Sequence, residues 1–281
     1  MGLPCWRPVK RQALAPAEAF LRDREPLCVA AAARFRQLDL AQDQLWAFFS
    51  PQGRVAGLLL QSKRIWFPLF YGRRNIPAPG FLERFLLRCP LHAVQGIRED
   101  AELMEAMLKR QGRGVQDQYD YDLMRLDQPP QRESLSRGPP ELILRRPEMA
   151  DAEGLYPLQA AYEREEVLPK GAAFVPAACR LSLEQAISRK SMLAALLDGR
   201  VVGKIHISAE SFSRFQIGGV YVHPGYRGRG VATRMTAVFT QELLVRGKGV
   251  SLFVKKRNTS AQQVYRRIGF NPLADYRICY Y

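Results

Sequence analysis

The stretch GGVYVHPGYRGRGVATRM, residues 218–235, decides how this sequence is interpreted. It starts with an apolar run rich in strand-forming residues, passes through a Pro-Gly turn into a loop of glycine and arginine, and ends with the apolar spacing of a helix. A glycine-rich loop that opens a helix directs several backbone N–H groups toward one point, where the helix dipole adds positive charge. The stretch therefore predicts a strand–loop–helix junction that binds phosphate.

Three kinds of phosphate-binding loop have this general appearance. A Walker A loop requires Gly-Lys-Ser/Thr at its end, whereas this loop ends in Gly230-Val-Ala, so that interpretation fails. A Rossmann loop requires a third glycine where Thr233 stands, and about fifty residues remain, too few for a doubly wound sheet. In a Rossmann domain, residues 255–257, Lys-Lys-Arg, would bind a 2′-phosphate, and this alternative stays open.

The third interpretation fits the spacing of the motif. Val220-x-Val222-x-Pro224-x-x-Arg227-x-x-Gly230-x-Ala resembles the acetyl-CoA signature of the GNAT superfamily of N-acetyltransferases, whose core is Arg/Gln-x-x-Gly-x-Gly/Ala. LFVKKRNTSAQQVYRRIGF, which follows it, resembles the next motif of that family: a strand, an Asn at its end, a helix bearing a Tyr, and Gly-Phe. The two motifs come in the family's order and together place the resemblance over roughly residues 141–281.

A segment rich in Pro, Ser, Gly and charge, DQPPQRESLSRGPP, separates two halves of similar organisation. It predicts a first domain at 1–127, a linker at 128–140 and a second domain at 141–281. Each half predicts a hairpin, a strand, a helix, a strand, a helix and a strand, which suggests a duplication with a period of about 140 residues. The helices are expected at residues 79–88, 98–110, 150–164, 181–191, 231–245 and 259–268.

The first half has YGRRNIPAPGF, residues 71–81, where the second has the glycine loop. The arrangement resembles tandem GNAT proteins whose first repeat is degenerate. This resemblance implies an α/β fold of two GNAT-like domains, each with a central, mostly antiparallel, twisted sheet flanked by helices.

By the same resemblance, the chain would bind acetyl-CoA through the backbone of the strand and the loop. Gly218-Gly219 favours a bulge in the strand over a simple buried strand. Residues beyond the bulge would bind the thioester carbonyl and the pantetheine arm, and the loop would bind the pyrophosphate. The cofactor-binding residues implied are Val220, Tyr221, Val222, Arg227, Gly228, Arg229, Gly230, Val231, Ala232, Thr233 and Asn258. Asn258 is also a candidate helix cap.

Acetyl transfer to an amine requires a neutral amine, a donor for the oxyanion and a proton for the leaving thiolate. Tyr265 stands where the family has its proton donor, although it also fits the core face of its helix. The candidates for the base that accepts the amine's proton are Glu163 and Glu166. Together with Glu165, they lie near the end of a predicted helix. A solvated helix end explains them equally well, and weaker candidates for the base are Glu210 and His223.

The expected function is acetyl-CoA-dependent N-acetylation of a primary amine. We expect the amine to attack acetyl-CoA directly in a ternary complex, because no Cys or Ser stands at a motif position to carry the acetyl group. The alternative is a non-catalytic GNAT-like protein that binds nucleic acid, since 42 Lys and Arg against 27 Asp and Glu give a net charge of +15. Five scattered Cys and three His predict no metal site and no disulfide scaffold. We expect a cytoplasmic chain, without signal peptide or membrane span.

Overall fold

The computed structural model describes residues 5–11, 14–72 and 90–281. The chain divides into two compact units: unit 1 comprises Met1–Leu123 and Leu273–Tyr281, and unit 2 comprises Met124–Pro272. The sequence grouped residues 273–281 with the second domain, and their contacts in the structure group them with unit 1. The helix predicted at 79–88 and most of the loop 71–81 lie outside the described residues.

Unit 1 is built on a mixed sheet. In spatial order its strands are β1 (Cys5–Pro8), β2 (Gln44–Phe49), β3 (Val55–Ser62), β4 (Ile65–Leu69), β5 (Ala93–Ile97), β12 (Asn271–Tyr280) and β6 (Asp117–Leu126). The pairs from β1 to β4 are antiparallel, β4 and β5 are parallel, and β5 and β12 are antiparallel. Its described helices are α1 (Leu14–Asp23), α2 (Val29–Arg36) and α3 (Arg98–Arg110).

Unit 2 repeats the plan of an antiparallel run followed by one parallel pair. In spatial order its strands are residues 124–126 of β6, then β11 (Gly249–Lys255), β10 (Arg214–Val222), β9 (Arg200–Glu210), β8 (Met192–Leu197) and β7 (Ile143–Arg145). The pair β10–β11 is parallel, and the pairs β10–β9, β9–β8 and β8–β7 are antiparallel. Its helices are α4 (Arg132–Leu135), α5 (Ala152–Tyr162), α6 (Pro176–Ser188), α7 (Val231–Val245) and α8 (Thr259–Ile268).

Local sequence signals explain where several of these elements begin and end. The hairpin β8–β9 turns on Asp198 and Gly199, both with positive φ, as a type I′ turn requires. Helix α8 begins after Asn258, whose side chain accepts a hydrogen bond from the Ala261 N–H, and ends at the left-handed Gly269. The predicted bounds of α3, α7 and α8 are confirmed.

Two helices of unit 2 differ from their predicted bounds. Helix α6 begins five residues before the predicted position 181, because Pro176 suits the first turn of a helix. The helix predicted at 150–164 has its regular part at Ala152–Tyr162 and continues as a π-helical turn, Glu163–Val167. π-helical turns are rare and are found frequently at functional sites.

The segment 128–140 packs against unit 2. The Ser134 hydroxyl donates to the Arg267 carbonyl at 3.2 Å, and Ser134 is 1% exposed. The Arg234 guanidinium donates to the Pro139 carbonyl at 3.1 Å, so the segment also contacts the first turn of α7. The residues predicted as a linker are therefore part of the surroundings of the glycine loop.

Unit 1 contains a buried carboxylate in the first turn of α3. Asp100 is 3% exposed and accepts hydrogen bonds from the backbone N–H groups of Phe70 at 2.9 Å and Tyr71 at 3.4 Å. Burial raises the pKa of Asp100 from 3.8 to about 6, although the two N–H groups oppose the shift. The folded protein therefore favours the protonated form more than the unfolded chain does.

We predict that Asp100→Asn gains stability relative to the wild type as pH rises from about 4 to about 6. The reason is that the free energy of unfolding of the wild type falls as Asp100 ionises, between its unfolded pKa of 3.8 and its folded pKa of about 6. Urea unfolding of both proteins across this range measures the effect. Asp100→Ala is the control: it leaves two buried N–H groups without an acceptor and should lose about 1–3 kcal/mol. A pH-independent difference between Asp100→Asn and wild type would contradict the prediction.

Candidate active site

Strand β10 leaves its parallel partner before it ends. The register with β11 runs over residues 214–217 against 249–252, which is less than half of β10. The register with β9 slips between Gly218 and Tyr221, so β10 carries an extra residue there. The bulge expected from Gly218-Gly219 is present, and it lies where β10 and β11 part.

The bulge depends on Gly219, which has φ of +62°. A methyl group on Gly219 would overlap the His206 ring and lie 2.9 Å from the Lys204 Nζ. Only glycine meets both the positive φ and the close approach of these two side chains. The conformation of Gly219 therefore determines the direction in which residues 220–222 continue after the bulge.

The glycine loop follows β10 and leads into α7. Gly230 precedes the helix with φ of +82°, and no side chain caps the first turn of α7, which begins with Val231, Ala232 and Thr233. A Cβ on Gly230 would lie 2.9 Å from the Gly138 N, whereas a Cβ on Gly228 would meet no atom within 4 Å. Gly230 is thus fixed by packing, and Gly228 faces open space.

The two arginines of the loop are exposed, and each contacts neighbouring residues. The Arg227 Nε donates to the Val222 carbonyl at 3.1 Å, and its guanidinium lies 3.4 Å from a Glu165 oxygen. The Arg229 guanidinium lies 5.4 Å from the centroid of the Tyr226 ring. Both side chains keep positive charge beside the start of α7.

The π-helical turn Glu163–Val167 brings its acidic side chains to the same region. Glu165 accepts a hydrogen bond from the Tyr221 hydroxyl at 2.7 Å. Glu166 lies 3.2 Å from the Lys255 Nζ and accepts from the Asn258 amide at 3.4 Å. The turn therefore contacts both β10 and the end of β11, at the opening between them.

Glu163 points to a different partner, since it accepts from the Gln159 amide at 2.9 Å. The structure brings Glu166 and Asn258 into contact and gives Glu163 no contact with either. Lys255 is 5% exposed and paired with Glu166, so its ammonium is buried beside the acidic turn.

Tyr265 lies on the buried face of α8. It is 7% exposed, and its ring packs edge-on against Phe270 with the centroids 5.8 Å apart. Burial raises the pKa of Tyr265, and the nearby Tyr162 and Glu166 contribute in the same direction. The hydroxyl is therefore protonated at neutral pH, and it lies close enough to Glu166 to feel its charge.

Comparison with known proteins places this geometry in a family. Residues 124–270 match the model of the acetyltransferase (GNAT) family, which is more than half of the chain. The chain belongs to the acetyltransferase (GNAT) family. No curated protein has a significantly similar sequence.

Solved structures of GNAT proteins share the fold over nearly the whole chain. A GCN5-related N-acetyltransferase from Sphaerobacter thermophilus has a TM-score of 0.61 at 19% identity, covering 98% of this chain and 94% of the other. A GNAT-family acetyltransferase from Colwellia psychrerythraea has a TM-score of 0.60 at 9% identity, covering 98% and 99%. A tandem GNAT protein from the clavulanic acid biosynthesis pathway has a TM-score of 0.60 at 14% identity, covering 99% and 98%. The fold is α/β with two GNAT-like domains, as the sequence predicted.

The bulge of this GNAT chain contacts a buried basic side chain that was not predicted from the sequence. Lys204 is 0% exposed, and its Nζ donates to the Gly219 carbonyl at 3.0 Å. His206, two residues along β9, lies with its ring edge-on to Tyr162, centroids 6.2 Å apart. A signal was present, because Lys204 and His206 interrupt an apolar strand at alternate positions, on one face.

Two features are absent from the part of the chain that the structure describes. No three His, Cys, Asp or Glu side chains there are grouped as ligands of a metal ion. No helix there has the length and apolar content needed to cross a membrane.

We predict that Gly219→Ala destabilises unit 2 more than Gly228→Ala. Both glycines have positive φ, so both substitutions carry a backbone penalty of about 1 kcal/mol. Only Gly219→Ala also overlaps His206 and Lys204, which should add about 1–3 kcal/mol. Urea unfolding of the two variants measures the difference, and equal losses would show that the bulge tolerates a side chain.

Proposed function

We propose that unit 2 is an acetyl-CoA-dependent N-acetyltransferase that transfers an acetyl group to a primary amine by direct attack in a ternary complex. The observation that supports this most is the parting of β10 from β11 at a bulge, next to the uncapped start of α7. Family membership supports acetyl transfer as the reaction class. The activity is assigned to unit 2, residues 124–272, and unit 1 is proposed to be a degenerate repeat.

The residues present fit a pyrophosphate at the glycine loop. Gly228, Gly230 and the first turn of α7 follow one another in the chain, no side chain caps that turn, and the helix dipole favours an anion there. The surface beside Gly228 is open, and Arg227 and Arg229 supply positive charge without burying it. Asn258 would both cap α8 and contact the CoA portion.

The strand beyond the bulge fits the reacting end of the same co-substrate. Val220, Tyr221 and Val222 would present backbone groups to the thioester carbonyl and the pantetheine amides, because β11 is not in register with them. A donor fixed at the carbonyl stabilises the oxyanion that forms as the amine attacks. Bound acetyl-CoA supplies the activated acetyl group.

Proton transfers complete the proposed mechanism. The neutral amine nitrogen attacks the thioester carbon, the C–S bond breaks, and the Tyr265 hydroxyl protonates the leaving thiolate. The amine's proton passes to a carboxylate of the acidic turn, directly or through water, and Glu166 is the best-placed candidate because it lies by Asn258 and influences Tyr265. Glu163 remains the second candidate. The acidic turn would also attract a cationic amine.

We predict that Gly228→Asp weakens acetyl-CoA binding by at least about tenfold, whereas Gly228→Asn changes it by less than about threefold. Asn and Asp both tolerate positive φ and have nearly the same size, so the pair isolates one negative charge beside the pyrophosphate. Calorimetric titration with acetyl-CoA measures both affinities.

The wild-type protein provides the control for that titration. Acetyl-CoA at one hundred times its dissociation constant should stabilise it by about 2.7 kcal/mol. No stabilisation at millimolar acetyl-CoA would overturn the proposed function, and salt-dependent binding of nucleic acid would then favour the alternative.

We predict that Tyr265→Phe lowers kcat by about 10²-fold or more without changing the affinity for acetyl-CoA. Phenylalanine keeps the packing against Phe270 and removes only the hydroxyl. Thiol release from acetyl-CoA in the presence of a panel of primary amines measures turnover. An unchanged kcat would assign Tyr265 to the core alone.

A further inference from the structure

The side chain of Lys204 is an unusual occupant of the interior of unit 2. It is fully buried, and its Nζ lies 4.3 Å from the centroid of the Tyr162 ring as well as 3.0 Å from the Gly219 carbonyl. If Lys204 only filled space, an apolar side chain of the same length would make the folded protein more stable, because no charge would be buried. Its position therefore calls for an explanation in terms of what it contacts.

The contact of Lys204 is with the peptide unit that forms the bulge. The Gly219 carbonyl and the Val220 N–H belong to one planar peptide, and the described chain has no cis peptide bonds. In a trans peptide these two groups point in opposite directions, so an anchor on the carbonyl fixes the direction of the N–H. Neither Gly219 nor Val220 is in register with a residue of β9, so Lys204 supplies a side-chain anchor where the ladder is irregular.

We propose that Lys204 is a positioning residue for acetyl transfer, which holds the Gly219 carbonyl so that the Val220 N–H donates to the thioester carbonyl. The inference rests on the proposed function. An ammonium on the carbonyl oxygen also polarises the peptide, which makes the N–H at its other end a stronger donor. Lys204 touches no substrate atom in this scheme and acts through the peptide.

The groups around Lys204 support this role. Burial lowers the pKa of Lys204 to about 7. Glu163 from the π-helical turn attracts the ammonium and so opposes the loss of the Lys204 proton. His206 on the same strand is neutral because burial lowers its pKa to about 3, and its Nδ1 has no hydrogen-bond partner among the described residues. Cys179 of α6 is a neutral thiol because burial raises its pKa to about 11. Below about pH 7, Lys204 is therefore a cation that donates to the Gly219 carbonyl at the bulge.

The test uses the full chain and [1-¹³C]acetyl-CoA, and it requires no acceptor amine. Difference infrared spectroscopy measures the carbonyl stretch of the bound thioester, which a hydrogen bond shifts to lower frequency. We expect Lys204→Met to lose more than half of the wild-type shift, while calorimetry shows less than about a fivefold change in the dissociation constant. Methionine has a similar length and no charge, so the interior stays filled.

Ile205→Val is the matched control. Ile205 is 0% exposed on the neighbouring position of β9, and the substitution should destabilise the protein by about 0.5–1.5 kcal/mol while leaving the carbonyl band at the wild-type frequency. An identical band in Lys204→Met and wild type would overturn the role of Lys204 and leave the proposed function intact. Failure of the wild type to bind acetyl-CoA would overturn both.

A second measurement applies if Lys204→Met does not fold. The carbonyl band of the wild-type complex is followed from about pH 5.5 to about pH 9, where neither His206 nor Cys179 changes charge. Loss of the Lys204 proton weakens the donor on the Gly219 carbonyl, so we expect the band to move to higher frequency as pH rises. A band that stays at one frequency over this range would overturn the proposal.

Discussion

The site depends on one backbone constraint: Gly219 must adopt positive φ with two side chains packed directly behind it. This conformation places the extra residue in β10, and β10 keeps its register with β11 only as far as residue 217. A regular strand would pair along its whole length and use its N–H groups in the ladder. The bulge instead directs residues 220–222 away from that pattern, at the end of the strand where the glycine loop and α7 begin.

The two units treat the corresponding position differently. In unit 1 the parallel pair is β4–β5, and the N–H groups of Phe70 and Tyr71 that follow β4 are bound by the carboxylate of Asp100, the third residue of α3. In unit 2 the third residue of α8 is Ala261, which offers no acceptor. A carboxylate at this point occupies the donors and repels an anion. Asp100 therefore makes this position of unit 1 unsuited to an anion.

Sequence patterns predicted the parts of the structure that local chemistry determines. The bounds of α7 and α8 follow from Gly230, Asn258 and Gly269, and the β8–β9 hairpin follows from Asp198-Gly199. Helices α1 and α2 were not predicted. Helix α2, VAAAARFR, buries five of its eight residues, three of them alanines, which are weakly apolar and common on every helix face, so no periodic pattern marks it.

The unpredicted parts of the site depend on contacts between distant residues. A lysine in a strand normally faces solvent, and the carbonyl that makes burial of Lys204 acceptable lies fifteen residues away. The π-helical turn was likewise hidden, because EREEV has the composition of an exposed helix end. Sequence alone identified these carboxylates but could not assign partners to them, since Tyr221, Lys255 and Asn258 come from two different strands and a helix cap.

The partners of the acidic turn differ in strength, and the difference bears on how a phosphate could enter. The Arg227–Glu165 pair has both side chains about half exposed, and such pairs contribute about 0–1 kcal/mol. The Lys255 side chain of the Lys255–Glu166 pair is 5% exposed, so breaking that pair would leave a buried ammonium without its partner. A pyrophosphate offers Arg227 several oxygens and more negative charge than one carboxylate. If the proposed function holds, Arg227 would therefore exchange Glu165 for phosphate while the Lys255–Glu166 pair stays formed.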